Sequence, residues 1–231
     1  MPSATATAGP LALVGVDPWT EGCSFDQELW EASGRSEVLV VPTGAAYEHP
    51  QRSVDAAASW FRVFGAKVRG LMVLGRRDAE DQANAAEIRA ARFVYLTGGS
   101  PLHLRSVLKD SVVWQALVAA WRDGAVVAGS AGGAMVLGDP MVDPRGGALT
   151  LGLGLVHGLA VLCHSSSWSP EKAERTVSLA TGSFGIVTIE ERTALIRRAG
   201  GAWESAGAGR VELYTGGGLA HLDALRDVEM G

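Results

Sequence analysis

The sequence predicts an α/β fold with a mostly parallel central sheet and helices on both faces. Short β-branched runs alternate with longer Ala-rich segments, and this alternation is typical of parallel strands joined by right-handed helical crossovers. Most of the runs are continuously apolar, which suits strands that are buried on both faces of a sheet. After residue 189 the runs become short and are separated by glycines, so we expect a C-terminal antiparallel hairpin or meander.

Each element follows from this pattern. Seven apolar runs are predicted as strands: Leu11–Val16, Val38–Val41, Val68–Leu74, Phe93–Leu96, Ala125–Ala128, Leu159–Cys163 and Gly185–Ile189. Four segments between them are predicted as helices: Val54–Phe64, Asp81–Ala91, Pro101–Ala120 and Pro170–Thr181. Ser53 suits the cap of the first helix, and Pro101 suits the first turn of the third. The hairpin is predicted from Thr193–Ile196, Val211–Leu213 and Tyr214.

The composition excludes several classes of protein. The 231 residues include 30 glycines without a three-residue period and only nine prolines, which excludes a collagen-like fibre. The hydrophobic fraction of 47% is too high for a disordered chain. No apolar run approaches the roughly 20 residues of a membrane helix. The net charge of −5 gives no electrostatic footprint for nucleic acid.

We expect a flexible tail over residues 1–10 and a single α/β domain over residues 11–231. The first ten residues carry no Lys or Arg, and the apolar stretch after them is short, so no secretory signal is predicted. Cys23 and Cys163 form no CxxC motif, and a reduced, cytoplasmic protein is the simplest interpretation. The sequence contains no HExxH motif and no Cys/His ligand spacing, so neither a metal nor a cofactor is predicted.

The strongest chemical signal is the segment Gly129-Ser130-Ala131-Gly132, which joins a buried strand to a helix of small residues. This is the setting of a nucleophile elbow, whose common pattern is Gly-x-Ser-x-Gly; here Ala128 replaces the first glycine. We predict that Ser130 lies on the strained turn with its Oγ held out above the sheet, and that the Ala131 N–H forms one half of an oxyanion hole. Gly-Ser turns also bind phosphate, but no Lys-Ser or Lys-Thr pair follows these glycines.

A serine nucleophile needs a base, and His164 is the best placed of the five histidines. It follows the predicted strand Leu159–Cys163 and so lies at the sheet edge where Ser130 should emerge. A third residue should orient the imidazole. The residues alone leave four candidates for it, all close to strand or helix ends: Glu190, Glu191, Asp139 and Asp143.

A second glycine site, Thr97-Gly98-Gly99-Ser100-Pro101, directly follows the predicted strand Phe93–Leu96. The N–H of Gly99 or Ser100 is the candidate for the other oxyanion donor. Ser100 as a helix cap with Pro101 at the first helical position explains the same residues structurally. The two interpretations are compatible, because a helix N-terminus supplies free N–H groups.

At these residues the chain resembles the serine peptidases that include alpha-aspartyl dipeptidase and cyanophycinase. The resemblance runs from about residue 11 to residue 217 and rests on Val40–Gly44, Leu96–Gly99, Ala128–Gly132, Leu162–His164 and Ile189–Leu195. It implies a class I glutamine amidotransferase-like, flavodoxin-like fold. It also implies a Ser130-His164-Glu191 triad, with Asp139 or Asp143 as the acid of the dipeptidase branch, and it suggests a homodimer.

The function implied by this resemblance is a serine-type peptidase or amidohydrolase. It would cleave a small peptide or isopeptide bond, aspartyl bonds among them, through an acyl-enzyme. Arg76, Arg77 or Arg175 would then meet a substrate carboxylate. Two alternatives use the same fold: a non-catalytic binding module, which the altered surroundings of His164 and Ser100 favour, and an esterase or acyl transferase with the same nucleophile.

Overall fold

The structure is a computed structural model, and it describes residues 7–163, 168–216 and 218–231. The α-helices in these ranges are α1 (Phe25–Ala32), α2 (Pro50–Phe61), α3 (Arg76–Ala79), α4 (Gln82–Ala90), α5 (Pro101–Leu108), α6 (Val112–Arg122), α7 (Gly132–Leu137) and α8 (Pro170–Val177). The strands are β1 (Leu11–Val14), β2 (Val38–Val41), β3 (Val68–Gly70), β4 (Phe93–Leu96), β5 (Val126–Ser130), β6 (Gly138–Asp139), β7 (Met141–Val142), β8 (Leu149–Thr150), β9 (Val156–His157), β10 (Leu159–Cys163), β11 (Gly185–Ile189), β12 (Thr193–Arg197), β13 (Trp203–Gly207), β14 (Val211–Thr215) and β15 (Gly218–Ala220).

The predicted central sheet has seven strands in the order β13-β12-β1-β5-β4-β2-β3. Five neighbouring strands of this sheet run parallel. They are β1, β5, β4, β2 and β3. Strands β12 and β13 extend the sheet antiparallel at one edge. The prediction of an α/β fold with a mostly parallel central sheet is therefore confirmed.

Side chains alternate along the strands of this sheet and enter two different apolar clusters. Ala12 and Ala128 pack with residues of α1 and α2 on one face, whereas Leu13 and Val127 pack with residues of α5 and α6 on the other. Successive side chains of a strand point to opposite faces. Ser130 ends β5 two residues after Ala128, so its side chain is directed toward the α1–α2 face.

The other predicted strands assemble differently from the expectation. Strands β10 and β11 do pair in parallel, but they belong to a second sheet of order β10-β11-β14-β15. The C-terminal region forms two antiparallel hairpins in different sheets, β12–β13 in the central sheet and β14–β15 in the second, instead of one hairpin or meander. An apolar pattern shows that a strand is buried but not which strand it pairs with.

The long helix predicted over Pro101–Ala120 is divided into α5 and α6. Asp110 adopts a φ of 59° between them, and the Ser111 side chain accepts a hydrogen bond of 3.1 Å from the Trp114 N–H. A left-handed residue followed by a capping serine ends one helix and begins the next. Among the described residues, no helix combines the length and the apolarity that crossing a bilayer requires.

Candidate functional site

The turn between β5 and α7 is strained, but at a different residue from the one predicted. Ser130 is the last residue of β5 and pairs with Val14 of β1. Ala131 comes next with φ 48° and ψ −115°, and α7 begins at Gly132. The prediction that Ser130 itself occupies the strained position is therefore wrong. Pairing with β1 keeps Ser130 in the sheet, so the chain turns one residue later.

The Ser130 side chain is enclosed by the fold. It has no exposed surface, and its Oγ has no hydrogen-bond partner among the described residues. It lies beside Tyr95. Burial raises the pKa of the Tyr95 hydroxyl well above its usual value, nearby Asp26 adds to the rise, and the Ser130 hydroxyl acts in the opposite direction. The predicted projection of Oγ into the space above the sheet is thus not what this backbone produces.

The Ala131 amide is also used differently from the prediction. Its N–H donates to the Val14 carbonyl at 2.9 Å and to the Gly15 carbonyl at 3.2 Å. These bonds tie the turn to the end of β1. The N–H of the predicted oxyanion donor is therefore engaged inside the fold in this conformation.

Three glycines around the turn are required by close backbone contacts. A Cβ on Gly129 would lie 2.5 Å from the Gly133 carbonyl oxygen, and a Cβ on Gly133 would lie 2.5 Å from the Leu96 carbonyl oxygen. A Cβ on Gly132 would lie 2.3 Å from the Gly99 carbonyl oxygen. Real Cβ atoms do not approach backbone this closely, so the turn, β4 and the loop after β4 fit together only with glycine at these positions.

The loop after β4 places Gly99 beside the turn. Gly99 has φ 109°, and a Cβ on it would lie 2.1 Å from the Gly44 carbonyl oxygen. The Ser100 N–H donates to that carbonyl at 2.8 Å, and the Ser100 Oγ accepts from the His103 N–H at 3.2 Å as the cap of α5. Of the two predicted donors, Ser100 is therefore engaged within the loop, and Gly99 remains the candidate.

A cleft of about 250 Å³ opens between this loop and the turn, and we call it the elbow cleft. Its lining comes from the ends of β1, β2, β4 and β5, all at the carboxyl edge of the sheet. The lining residues are Val16, Asp17, Pro18, Trp19, Ala45, Glu48, Ser53, Thr97, Gly98, Gly99, Ser130 and Ala131. A larger cavity of about 500 Å³ lies beside the start of β11 and contains none of the predicted site residues.

Several cleft residues were not singled out from the sequence. Asp17 and Trp19 have φ values of 57° and 63° and follow the carboxyl end of β1, while Glu48 follows the end of β2. The rule that ligands bind at the carboxyl ends of parallel strands would have indicated all three. Conversely, the lining contains none of the arginines proposed to meet a substrate carboxylate, which were Arg76, Arg77 and Arg175.

The turn between β11 and β12 brings Glu191 close to the same edge. A Cβ on Gly15 would lie 2.0 Å from the Glu190 carbonyl oxygen, and Gly15 in turn accepts the hydrogen bond from Ala131. The Glu190 side chain pairs with Arg210 at 3.0 Å. The main chain of the Glu190–Glu191 turn therefore packs against the segment that holds the elbow.

The remaining candidates are less well placed or lie elsewhere. Asp143 is held by the Arg145 guanidinium at 2.9 and 2.8 Å, and these hydrogen bonds lower the pKa of its carboxyl to about 2. Asp139 accepts a hydrogen bond of 3.1 Å from the Gly152 N–H. Both aspartates thus stabilise their own loop. His164 lies outside the described residues.

Known proteins share this fold. A peptidase from an acI-B1 Actinobacterium superposes with a TM-score of 0.80 at 24% identity, covering 94% of this chain and 98% of that one. A putative peptidase E protein from Listeria monocytogenes EGD-e gives a TM-score of 0.63 at 17% identity, covering 87% of this chain and all of that one. At these identities, the two structures show the fold.

Sequence comparison shows the family. A cyanophycinase from Trichormus variabilis is 29% identical over 157 residues, which are 67% of this chain but only 52% of that relative, so the match spans about half of its length. A cyanophycinase from Synechococcus elongatus is 22% identical over 92% of this chain and 71% of its own. The model of peptidase family S51 matches residues 23–202. These matches support the predicted serine peptidase at the level of the family, and the chain belongs to peptidase family S51.

Proposed function

We propose that this chain recognises a small peptide or isopeptide, aspartyl peptides among them, in the elbow cleft. The two sides of the cleft differ in chemistry. Backbone N–H groups near Gly99 suit a carbonyl or carboxylate oxygen, while the carboxylates of Asp17 and Glu48 suit an amino group. The Trp19 ring adds an apolar wall. A peptide with a free amino group matches all three features.

The observation that carries this proposal is the meeting of two strained backbone segments in one cleft. Gly99 and Ala131 both have positive φ, both line the elbow cleft, and they follow the neighbouring strands β4 and β5. Backbone strain persists only where the surroundings hold it, and it concentrates at ligand sites. Open α/β sheets also bind their ligands at this edge.

Calorimetric titration with the dipeptide Asp-Gly and its β-linked isomer tests the proposal. We expect at least one of the two to bind the wild-type protein. Glu48→Gln should weaken this binding by about tenfold, because a hydrogen bond to a charged group contributes about 1.5 kcal/mol. Glu31→Gln, an exposed position on α1, is the matched control and should leave the affinity unchanged. Absence of binding by both peptides would contradict the proposal.

A second candidate is hydrolysis through an acyl-enzyme, and the family assignment favours it. In this candidate Ser130 attacks, His164 acts as base and then acid, Glu191 orients His164, and the N–H groups of Gly99 and Ala131 hold the oxyanion. The Ala131 N–H would first have to release the Val14 and Gly15 carbonyls, to which it donates at 2.9 and 3.2 Å. Ser130 lines the elbow cleft but has no exposed surface, so this candidate requires its Oγ to become accessible to the substrate. Labelling by a fluorophosphonate that disappears in Ser130→Ala, together with release of amino acids from the dipeptides, would support this candidate over recognition alone.

Two further proposals concern the surroundings of the chain. Cys23 and Cys163 are both free and buried, which supports a reducing compartment such as the cytoplasm. Cell fractionation with compartment markers would test this location. A homodimer, implied by the family resemblance, also stays a proposal, and sedimentation velocity would test it.

A further inference from the structure

The conformation of Ala131 is unusual for alanine. Its φ of 48° and ψ of −115° lie outside the left-handed helical region, where ψ is about +30 to +60°. Alanine has no polar side chain to stabilise such a conformation, as asparagine or aspartate can. The conformation is held by the surroundings, through the bond from the Ala131 N–H to Val14 and the bonds that its carbonyl accepts from Ala134 and Met135.

From this backbone we infer that Ala131, and not Ser130, occupies the nucleophile position of the elbow. A nucleophile elbow places the reactive residue on a strained turn between a strand and a helix, and in this chain only Ala131 separates β5 from α7. The register of the glycines agrees. Gly129 and Gly133 stand two residues on either side of Ala131, as the pattern Gly-x-nucleophile-x-Gly requires.

The register centred on Ser130 fits less well. It places Ala128 and Gly132 at the two glycine positions, and Ala128 is a buried strand residue with room for its methyl group. In the register centred on Ala131, both flanking glycines are sterically required, because a Cβ on either would lie 2.5 Å from a carbonyl oxygen. The close packing that an elbow needs is thus built around residue 131.

The two side chains also differ in what they face. The Ala131 methyl lies at the cleft beside Gly98, where an added Cβ would come within 3.3 Å of it, and Ala131 is partly exposed. Ser130 also borders the cleft, but it is fully buried, and its side chain lies beside Tyr95. A methyl group therefore takes the place of a hydroxyl or thiol at the reacting position, and the cleft holds its ligand without forming an acyl-enzyme. This inference rests on the proposed recognition of a small peptide in the same cleft.

Single cysteine substitutions at the two positions test the assignment. An aromatic disulfide reagent is attacked by an exposed thiolate, which forms a mixed disulfide and releases a coloured thiolate, so the rate can be followed by absorbance. We expect Ala131→Cys to react about tenfold faster or more than Ser130→Cys, because only the former thiol would be exposed on the elbow. Equal rates, or a faster reaction of Ser130→Cys, would overturn the assignment.

A measurement on the unmodified chain covers the case in which either variant fails to fold. Wild-type protein is incubated with a fluorophosphonate and its intact mass is recorded. Attack by a serine oxygen on phosphorus would add the phosphonyl group and release fluoride with the serine proton. We expect no adduct, and an adduct mapped to Ser130 would overturn the inference. Neither experiment depends on peptide binding, so a failure of the proposed recognition would be seen separately, in the titrations.

Discussion

Replacing Gly99 with alanine should destabilise the chain because two separate costs act at this position. The φ of 109° is unfavourable for any residue with a Cβ, at about 1–2 kcal/mol. The new methyl would also lie 2.1 Å from the Gly44 carbonyl oxygen and 2.9 Å from the Ala45 nitrogen. Such overpacking against backbone adds about 1–3 kcal/mol. The free energy of unfolding should therefore fall by about 2–5 kcal/mol.

Gly34 is the matched control for this substitution. It also has a positive φ, 76°, but a Cβ on it would meet nothing within 4 Å. Gly34→Ala therefore carries only the conformational cost. In thermal or urea unfolding we expect Gly99→Ala to be less stable than Gly34→Ala by about 2 kcal/mol, or about 4–8 °C in Tm for a chain of this length. If the two variants have the same stability, the tight fit of the Gly99 loop against Gly44 is refuted.

Three other predictions follow from buried groups. Burial raises the pKa of Asp26 from 3.8 to about 8, so its contribution to stability is fully present below pH 3.8 and is lost as the pH rises through 8. Asp26→Asn should flatten the dependence of Tm on pH over the range from about 5 to about 8, which lies below the folded pKa. An unchanged slope would show that Asp26 does not titrate in this way. Burial raises the pKa of both the Cys23 and Cys163 thiols, the latter to about 12. Neither thiol should therefore react with a disulfide reagent until guanidinium unfolds the chain. Fast reaction of either thiol in the native protein would contradict this prediction. The buried Trp121 indole donates to the Gly9 carbonyl at 2.8 Å, and Trp121→Phe should cost about 1–3 kcal/mol in urea unfolding, whereas an unchanged midpoint would show that this bond contributes nothing.

Much of the fold could be predicted because its central strands carry a strong local signal. The predicted runs Val38–Val41 and Phe93–Leu96 coincide with β2 and β4, since continuous apolar residues leave few other ways to be buried. The pairing of strands is a long-range property and was predicted less well. Trp203–Gly207 was missed as a strand because glycine, serine and alanine dominate it. Its place at the sheet edge comes from pairing with β12.

The candidate site could be located from the sequence, but the residue on its strained turn could not. The glycine loops after β4 and β5 predicted the edge and the cleft. The segment from Gly129 to Gly133 fits the elbow pattern in two registers, and the choice between them depends on which residue leaves the sheet. Hydrogen bonding of Ala131 to β1 decides this, and no local sequence pattern records such a contact.

The strained turn at Ala131 also has an evolutionary consequence. Alanine and serine codons can differ by a single base, and the glycines that accommodate the turn at Gly129, Gly132 and Gly133 are in place. A lineage with this backbone is therefore one mutation away from presenting a hydroxyl at the elbow. The steric framework is the demanding part of such a site, since several positions must agree at once, and this chain carries the framework whether or not the hydroxyl is present.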